Sequence, residues 1–356
     1  MFNSVRIQNF RQFTDLRVDR LGPINLITGM NNSGKTSFIE AVFLLCAPTS
    51  PDTVLTIAGL RGVDRVATSE SYAWGFIFGE GRTQSEIVLE GTRTGDIFDT
   101  LRIRASDESA LTLSNGRESN GAHGQLSIST LNEAQPSLEY DYEIRSGSTQ
   151  HRATSRIRLV DREPVVERAS GFGQRRWHFV SHRPVDAEAD ATRFSRLVEA
   201  RRKGEVIEAL RVVEPRLTDL DVLALRPPVV AADIGLNRLV PMSYMGQGFE
   251  RLLSIIPAII LTEGGTVLID EIEDGLHHSV LTDVWRVIVS TALKYSVQVF
   301  ATTHSWECIE AAVHASENHP NSLAFVRLER RSGRIHGVAG TDEELRAAVE
   351  SGFELR

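Results

Sequence analysis

The chain has 356 residues, a formal net charge of −8, 41% apolar and 24% charged residues, the mix of an ordinary soluble globular protein of about two domains. Collagen-like repeats, low-complexity disorder and a small disulfide scaffold are excluded, and the two cysteines, Cys46 and Cys308, form no CxxC pair for a structural zinc. The most apolar run, Leu252 to Leu261, is about half the ~20 residues a membrane helix needs and contains Pro257. The N-terminus shows no apolar leader core. No membrane partner is therefore expected, and few cysteines fit a cytoplasmic location. The acidic total argues against a general coat for nucleic acid but leaves room for a local basic patch.

Val5, Ile7, Leu16 and Val18 alternate with polar residues as half-buried strands do, and Ile24 to Ile27 is a short apolar strand ending at Thr28-Gly29. A turn rich in Gly, Asn and Ser comes next, then a helix from Thr36 to Ala47 stopped by Pro48. Residues 72–180 carry short alternating runs (SEIVLEG, DTLRIRAS, ALTLS, QLSIS, LEYDYEI, SRIRLV), the pattern of an antiparallel sheet. Residues 190–213 turn helical, PVVAADIGLNRLVPMS reads as strand–turn–strand, and Met245 to Leu261 as a long apolar helix. Strands at Thr266–Ile269, Val297–Ala301 and Leu323–Leu328 then alternate with helices over 278–293 and 306–314. A capping box at Thr341-Asp342-Glu343-Glu344 starts a last helix. Alternating β and α at both ends predicts an α/β fold with a mostly parallel core sheet, an inserted antiparallel β subdomain and a helical lobe. The segments expected are 1–71, 72–180, 181–237 and 238–356.

The motif that carries most chemistry is Gly29-Met30-Asn31-Asn32-Ser33-Gly34-Lys35-Thr36, with Ser37 directly after it. It satisfies GxxxxGK[ST] between a strand and a helix, the context of a phosphate loop. Glycines let the backbone wrap close to a phosphate, and successive N–H groups at a helix N-terminus form an anion nest. Lys35 is placed to reach the β- and γ-phosphates and the Thr36 hydroxyl to bind Mg2+. Thr266-Val267-Leu268-Ile269-Asp270-Glu271 is an apolar strand ending in two carboxylates, whose side chains point to opposite sides. Asp270 suits the metal and Glu271 the attacking water. Thr302-Thr303-His304 lies at the end of another strand, where His304 can sense a γ-phosphate. Ser243-Tyr244-Met245-Gly246-Gln247-Gly248 precedes a helix and offers a second anion-ready end.

In this order the four elements resemble the ABC-type ATPases, and within them the SMC-like branch that includes RecF and the ATPase half of OLD-family nucleases. NFRQF at Asn9–Phe13, DEIEDGLHH at Asp270–His278 and TTHS at Thr302–Ser305 carry the likeness. The resemblance implies a head that dimerises around ATP and Mg2+. Asn31, Asn32, Ser33, Lys35, Thr36 and Ser37 would then hold nucleotide, with Gly29 and Gly34 shaping the loop. Thr36 and Asp270 would serve the metal, Glu271 catalysis, and His304 the switch. Ser243, Gly246, Gln247 and Gly248 would act as the signature in trans, and Gly275, Leu276 and His277 as the D-loop. The signature reads SYMGQG rather than LSGGQ, and no Q-loop glutamine stands out among Gln84, Gln125 and Gln174.

Neither the heptads of coiled-coil arms nor a zinc hook is present, and the segment after His304 is too short for a Toprim nuclease domain. The expectation is therefore a stand-alone head whose output goes to a separate effector protein, such as a nuclease, in DNA repair or anti-phage defence. The alternative is a RecF-like ATPase acting on DNA directly. Its support is the run of eight arginines between His151 and Arg183, among them Arg175 and Arg176, together with Arg201-Arg202-Lys203. A solvated strand face laced with ion pairs is the plainer reading of those arginines. A transporter subunit, a kinase and a GTPase fit less well, and adjacent His277 and His278, expected to point apart, make a poor metal site.

Overall fold

The protein is described by a computed structural model covering residues 1–62, 74–79, 83–108, 135–160, 163–172, 175–182 and 186–352. The runs ALTLS and QLSIS, with Arg162, Arg183, Gln125 and Gln174, lie outside those residues. The N-terminal part contains β1 (Phe2–Phe10), β2 (Phe13–Val18), β3 (Ile24–Thr28), α1 (Lys35–Cys46) and α2 (Thr53–Leu60). Next come β4 (Ile87–Arg93), β5 (Ile97–Glu108), β6 (Gln135–Ser146), β7 (Thr149–Val160), β8 (Glu163–Glu167) and β9 (Trp177–Val180). The third stretch has α3 (Ala187–Glu199), α4 (Lys203–Leu210), β10 (Asp219–Leu223), β11 (Val229–Asp233), β12 (Val240–Pro241) and α5 (Gln247–Leu261). The C-terminal part has β13 (Thr266–Ile269), α6 (His278–Lys294), β14 (Gln298–Thr302), α7 (Trp306–Ser316), β15 (Leu323–Arg331), β16 (Arg334–Thr341) and α8 (Asp342–Glu350).

A six-stranded sheet in the order β16-β15-β3-β14-β13-β9 forms the centre, parallel except for β16. Its central strands β3, β13 and β14 are buried on both faces, which explains their continuous apolar runs. Alternation divides them: Ile24, Leu26, Val267, Ile269, Val299 and Ala301 join one core, with residues of α5, α6 and α7. Ile27, Leu268, Phe300 and Val326 join a second core, with α1 and the seven-stranded sheet β2-β1-β4-β5-β6-β7-β8. Helix α1 is held between the two sheets, and of its twelve residues only Thr36 is not buried. From Phe38 on its residues are apolar on every side except Glu40, which pairs with Arg11 and Arg61.

Two features differ from the expected segments. The antiparallel sheet crosses the boundary at 71/72, because β4 pairs with β1. A lone β1–β2 hairpin could not bury enough surface to stand by itself. In addition, β9, at the end of the expected insertion, pairs in parallel with β13. Four residues are too few to show periodicity, so the sequence does not mark β9 as a core strand. Nor does the sequence mark β16 beyond a hairpin tip, since Gly337 and Gly340 weaken its pattern. Gly340 is needed there: a Cβ would lie 2.2 Å from the Phe325 ring. The capping box of α8 forms, with both Thr341 and Glu344 bonding back to the chain.

Candidate active site at the carboxyl edge of the parallel sheet

Parallel strands end on the same side, so their register aligns the residues just beyond each strand end. Val180, Ile269, Ala301 and Leu26 stand side by side in β9, β13, β14 and β3. The next residues along are Ser181, Asp270, Thr302 and Ile27. The phosphate loop leaves β3 two residues later. Its turn uses left-handed backbone at Asn32 (φ 62) and Gly34 (φ 101). A Cβ on Gly34 would meet the Gln12 amide nitrogen at 2.7 Å and the Phe13 ring at 2.8 Å. Gln12 lies in the β1–β2 turn and Phe13 opens β2, and Gln12 also accepts from the Ser37 hydroxyl at 3.2 Å. The NFRQF segment is thus a clamp on the loop.

Lys35 lies under that loop, its ammonium donating to the carbonyls of Gly29 at 2.8 Å and Met30 at 3.1 Å. Burial pulls its pKa below the ordinary lysine value, and the carboxylates of Glu271, Glu273 and Asp270 oppose that shift. The Ser33 hydroxyl is buried with no hydrogen-bond partner, an orphan that a phosphate oxygen would satisfy. Asn31 and Asn32 are exposed on the outer side of the turn. The Thr36 hydroxyl donates to the Asp270 carboxylate, 3.1 and 3.3 Å from its two oxygens. Asp270 also accepts from Thr302 Oγ1 at 2.7 Å and from His182 Nδ1 at 3.0 Å. A hydroxyl beside a carboxylate at the end of a phosphate loop is a hard oxygen set of the kind Mg2+ takes.

Glu271 has φ 46, a left-handed conformation that costs a non-glycine residue about 1–2 kcal/mol. Two groups hold it there. Its N–H donates to Thr302 Oγ1 at 2.8 Å, and its carbonyl accepts from Arg251 Nη2 at 3.0 Å. Arg251 is a buried residue of α5 that also donates to the carbonyls of Ser181 and Asp270. Burial lowers its pKa, and Asp274 and Asp270 oppose that shift. Desolvation raises the pKa of the Glu271 carboxyl above the ordinary glutamate value, and the nearby carboxylates of Asp274 and Asp270 add to it. Glu273 holds the TTHS segment: its Oε1 accepts from the Thr303 hydroxyl at 2.7 Å and from the His304 N–H at 2.8 Å, and lies 3.1 Å from His304 Nδ1.

The expected signature and D-loop residues meet each other. A Cβ on Gly275 would lie 2.9 Å from Gln247 Cβ, and one on Gly248 would lie 3.1 Å from Leu276. Ser243, Gly246 and Gln247 are exposed, and Tyr244 is 81% exposed. His277 caps α6, accepting from the Ser279 N–H. The rings of His277 and His278 lie 4.1 Å apart rather than pointing away from each other. No group of three His, Cys, Asp or Glu able to hold a metal occurs among the described residues.

The DNA-contacting set is corrected in part. Arg175 turns inward, donating to the Leu45 carbonyl at 2.7 Å and to buried Asp99. Arg202 pairs with Glu205 and Glu263 and covers the Tyr295 ring, and Lys203 pairs with Asp219 at 2.9 Å. These cations serve the fold because acids face them across neighbouring elements. Arg176 and Arg201 remain exposed. Gln84 is exposed as well. Sequence reasoning gave no role to Arg251, Glu273, His182 or Gln12. A lone arginine inside FERLLSIIPAII was the one available signal for Arg251. His182 had none, because its strand was unrecognised.

No helix of the described residues is long and apolar enough to cross a membrane. The ATP/GTP phosphatase of Helicobacter pylori is 25% identical to this chain over 342 residues, 87% of each protein. An uncharacterized protein of Methanocaldococcus jannaschii is 36% identical over 113 residues, 32% of this chain and 99% of that protein. The crystal structure of an Smc head bound to the C-winged helix domain of ScpA has the same fold, with a TM-score of 0.51, 12% identity and coverage of 97% of this chain and 99% of that one. The model of the AAA_21 family, "AAA domain, putative AbiEii toxin, Type IV TA system", matches residues 24–309. With its phosphate loop and paired carboxylates, the chain belongs to this family and is an ATPase, and its fold is that of the SMC heads.

Proposed function

We propose that the protein is an ATP-driven switch in which two copies close around ATP and hydrolysis reopens them. The observation that carries this reading is an exposed surface. Phosphate loop, Asp270, Glu271 and His304 share one edge of the parallel sheet, and Ser243, Tyr244, Gly246 and Gln247 lie exposed at the start of α5, with Gln247 beside Gly275 of the D-loop. A second copy would bring its signature to this copy's phosphate loop. Lys35 and the loop N–H groups bind the β- and γ-phosphates. Mg2+ held by Thr36 and Asp270 would neutralise charge building on the phosphates. The Glu271 carboxylate accepts a hydrogen bond from the water that attacks the γ-phosphorus. The bond to the β,γ-bridging oxygen breaks, ADP leaves, and the proton passes to the carboxylate or the released phosphate. His304, positioned by Glu273, contacts the γ-phosphate and reports its loss.

The output would reach a separate effector protein, and the family description makes a toxin–antitoxin setting the first to test. The name of the Helicobacter pylori relative makes GTP a second nucleotide to try. Direct action on DNA has less support, because Arg175, Arg202 and Lys203 already face acids. The test uses Glu271→Gln. Its mass by light scattering should double with ATP–Mg2+ and stay monomeric with ADP. Duplex DNA at low salt should remain free of the dimer. A mass that ATP leaves unchanged would overturn the switch, and DNA joining the dimer would promote the RecF-like alternative.

A further inference from the structure

At the far end of α1 from Lys35 lies a cavity of about 280 Å3, just below the usual range of ligand sites, roughly 300–1,000 Å3. Arg93, Arg175, Tyr142, Thr49, Ser50 and Trp177 line it, and none of its described lining residues is acidic. The two guanidiniums are fixed from behind by Asp99, which is fully buried. Arg93 donates to Asp99 from Nε at 2.6 Å and from Nη2 at 3.2 Å. Arg175 Nη2 donates to Asp99 and, at 2.7 Å, to the Tyr142 hydroxyl, which itself donates to Asp99 at 2.6 Å. Two cations thus share one carboxylate. The positive field they make is felt by the Met1 α-amino group, which burial and the two guanidiniums hold below its ordinary pKa. Each of the two arginine side chains is four-fifths buried, so solvent does little to balance this excess positive charge. Arg175 Nη1 also donates to the Leu45 carbonyl at 2.7 Å, which puts a positive group over the negative end of the α1 dipole. Trp177, Tyr142 and Phe172 supply an aromatic wall. Cys46 also lines the cavity, but burial pushes its thiol up to about 11, so it is a wall and not a nucleophile.

We infer that this cavity is a second ligand site, separate from the phosphate loop, for the oxyanion of a small phosphate compound carrying one ring. Preorganised guanidiniums recognise phosphate oxygens through charge-assisted hydrogen bonds. The hydroxyls of Thr49 and Ser50 add donors, and the aromatic wall takes the ring. Such an occupant would touch the end of the same rigid helix whose first residue is Lys35.

The test titrates the full-length protein, with ADP saturating the phosphate loop, with phenyl phosphate and in parallel with inorganic phosphate, by calorimetry. Phenyl phosphate should bind saturably and more tightly than inorganic phosphate. Arg93→Met should weaken it by about tenfold to a hundredfold, the usual loss of a charged hydrogen bond. Thr49→Trp, which fills the cavity and leaves every charge in place, should abolish it. Both variants should keep the wild-type affinity for ADP. No saturable binding of either probe, or binding that both variants leave unchanged, would overturn the site. Equal affinity for the two probes would overturn the ring subsite.

Discussion

Acidic side chains play opposite parts in the two sheets. On the antiparallel sheet, Glu139 meets Arg156 and Glu143 meets Arg152 across the β6–β7 pairing, while Asp141 meets Arg104 of β5. These pairs stand on the solvent side, where each is worth little. At the carboxyl edge of the parallel sheet, Asp270, Glu271 and Glu273 form no ion pair with Arg or Lys among the described residues. They are held instead by hydroxyls, histidines and backbone groups. A carboxylate without a fixed cation keeps lone pairs for a metal, a water or a histidine, and the low dielectric around it makes those contacts strong. Environment, not residue type, therefore separates an acid left open to a ligand from one committed to an ion pair with arginine.

Arg251→Met should strike this contrast hardest. Three carbonyls lose a donor, that of buried Asp270 among them, which should cost about 3 kcal/mol of stability, within the range for unsatisfied buried groups. Turnover should fall as well, because Glu271 loses one of the bonds that hold its strained backbone. Urea unfolding and steady-state turnover check both. A variant as stable and as active as the wild type would show that Arg251 plays no part in holding the edge.

A subtler change is Asp274→Asn. The neighbouring carboxylate helps raise the Glu271 pKa, so its removal should lower that pKa. A carboxyl with a raised pKa takes up its proton, and stops accepting a hydrogen bond from water, at a higher pH than an ordinary glutamate. Activity is therefore lost as pH falls through the raised value. In the variant the acid limb of the pH–rate profile should move to lower pH. A limb that stays in place would mean that another group sets it.

The smallest effect belongs to the antiparallel sheet. Arg152 is 74% exposed beside Glu143, and Arg152→Ala should change stability by about 0–1 kcal/mol and leave turnover and duplex affinity as they were. A large loss of DNA affinity would instead give the arginine-rich face a binding role.

Legibility in the sequence varied from element to element. The phosphate loop, the Thr266–Glu271 strand end and TTHS were readable because their spacing is local: strand, turn and helix start sit in one stretch of chain. The clamp of Gln12 on Gly34, the anchoring of Glu271 by Arg251 and the grip of Glu273 on His304 were not. Each joins side chains whose distance depends on how separate elements pack. The inward turn of Arg175 was hidden for the same reason, since its partner Asp99 lies on β5.

The sequence by itself determined the class of fold and the kind of chemistry, because hydrophobic period and glycine placement act over a few residues. Only the tertiary structure decided which strands adjoin. That choice put Ser181, Asp270, Thr302 and Ile27 in one row, made β9 part of the core, and joined β1 to β4 in a single sheet. Strand order is set by long-range burial of faces that no local pattern encodes, and the geometry of the site depends on that order.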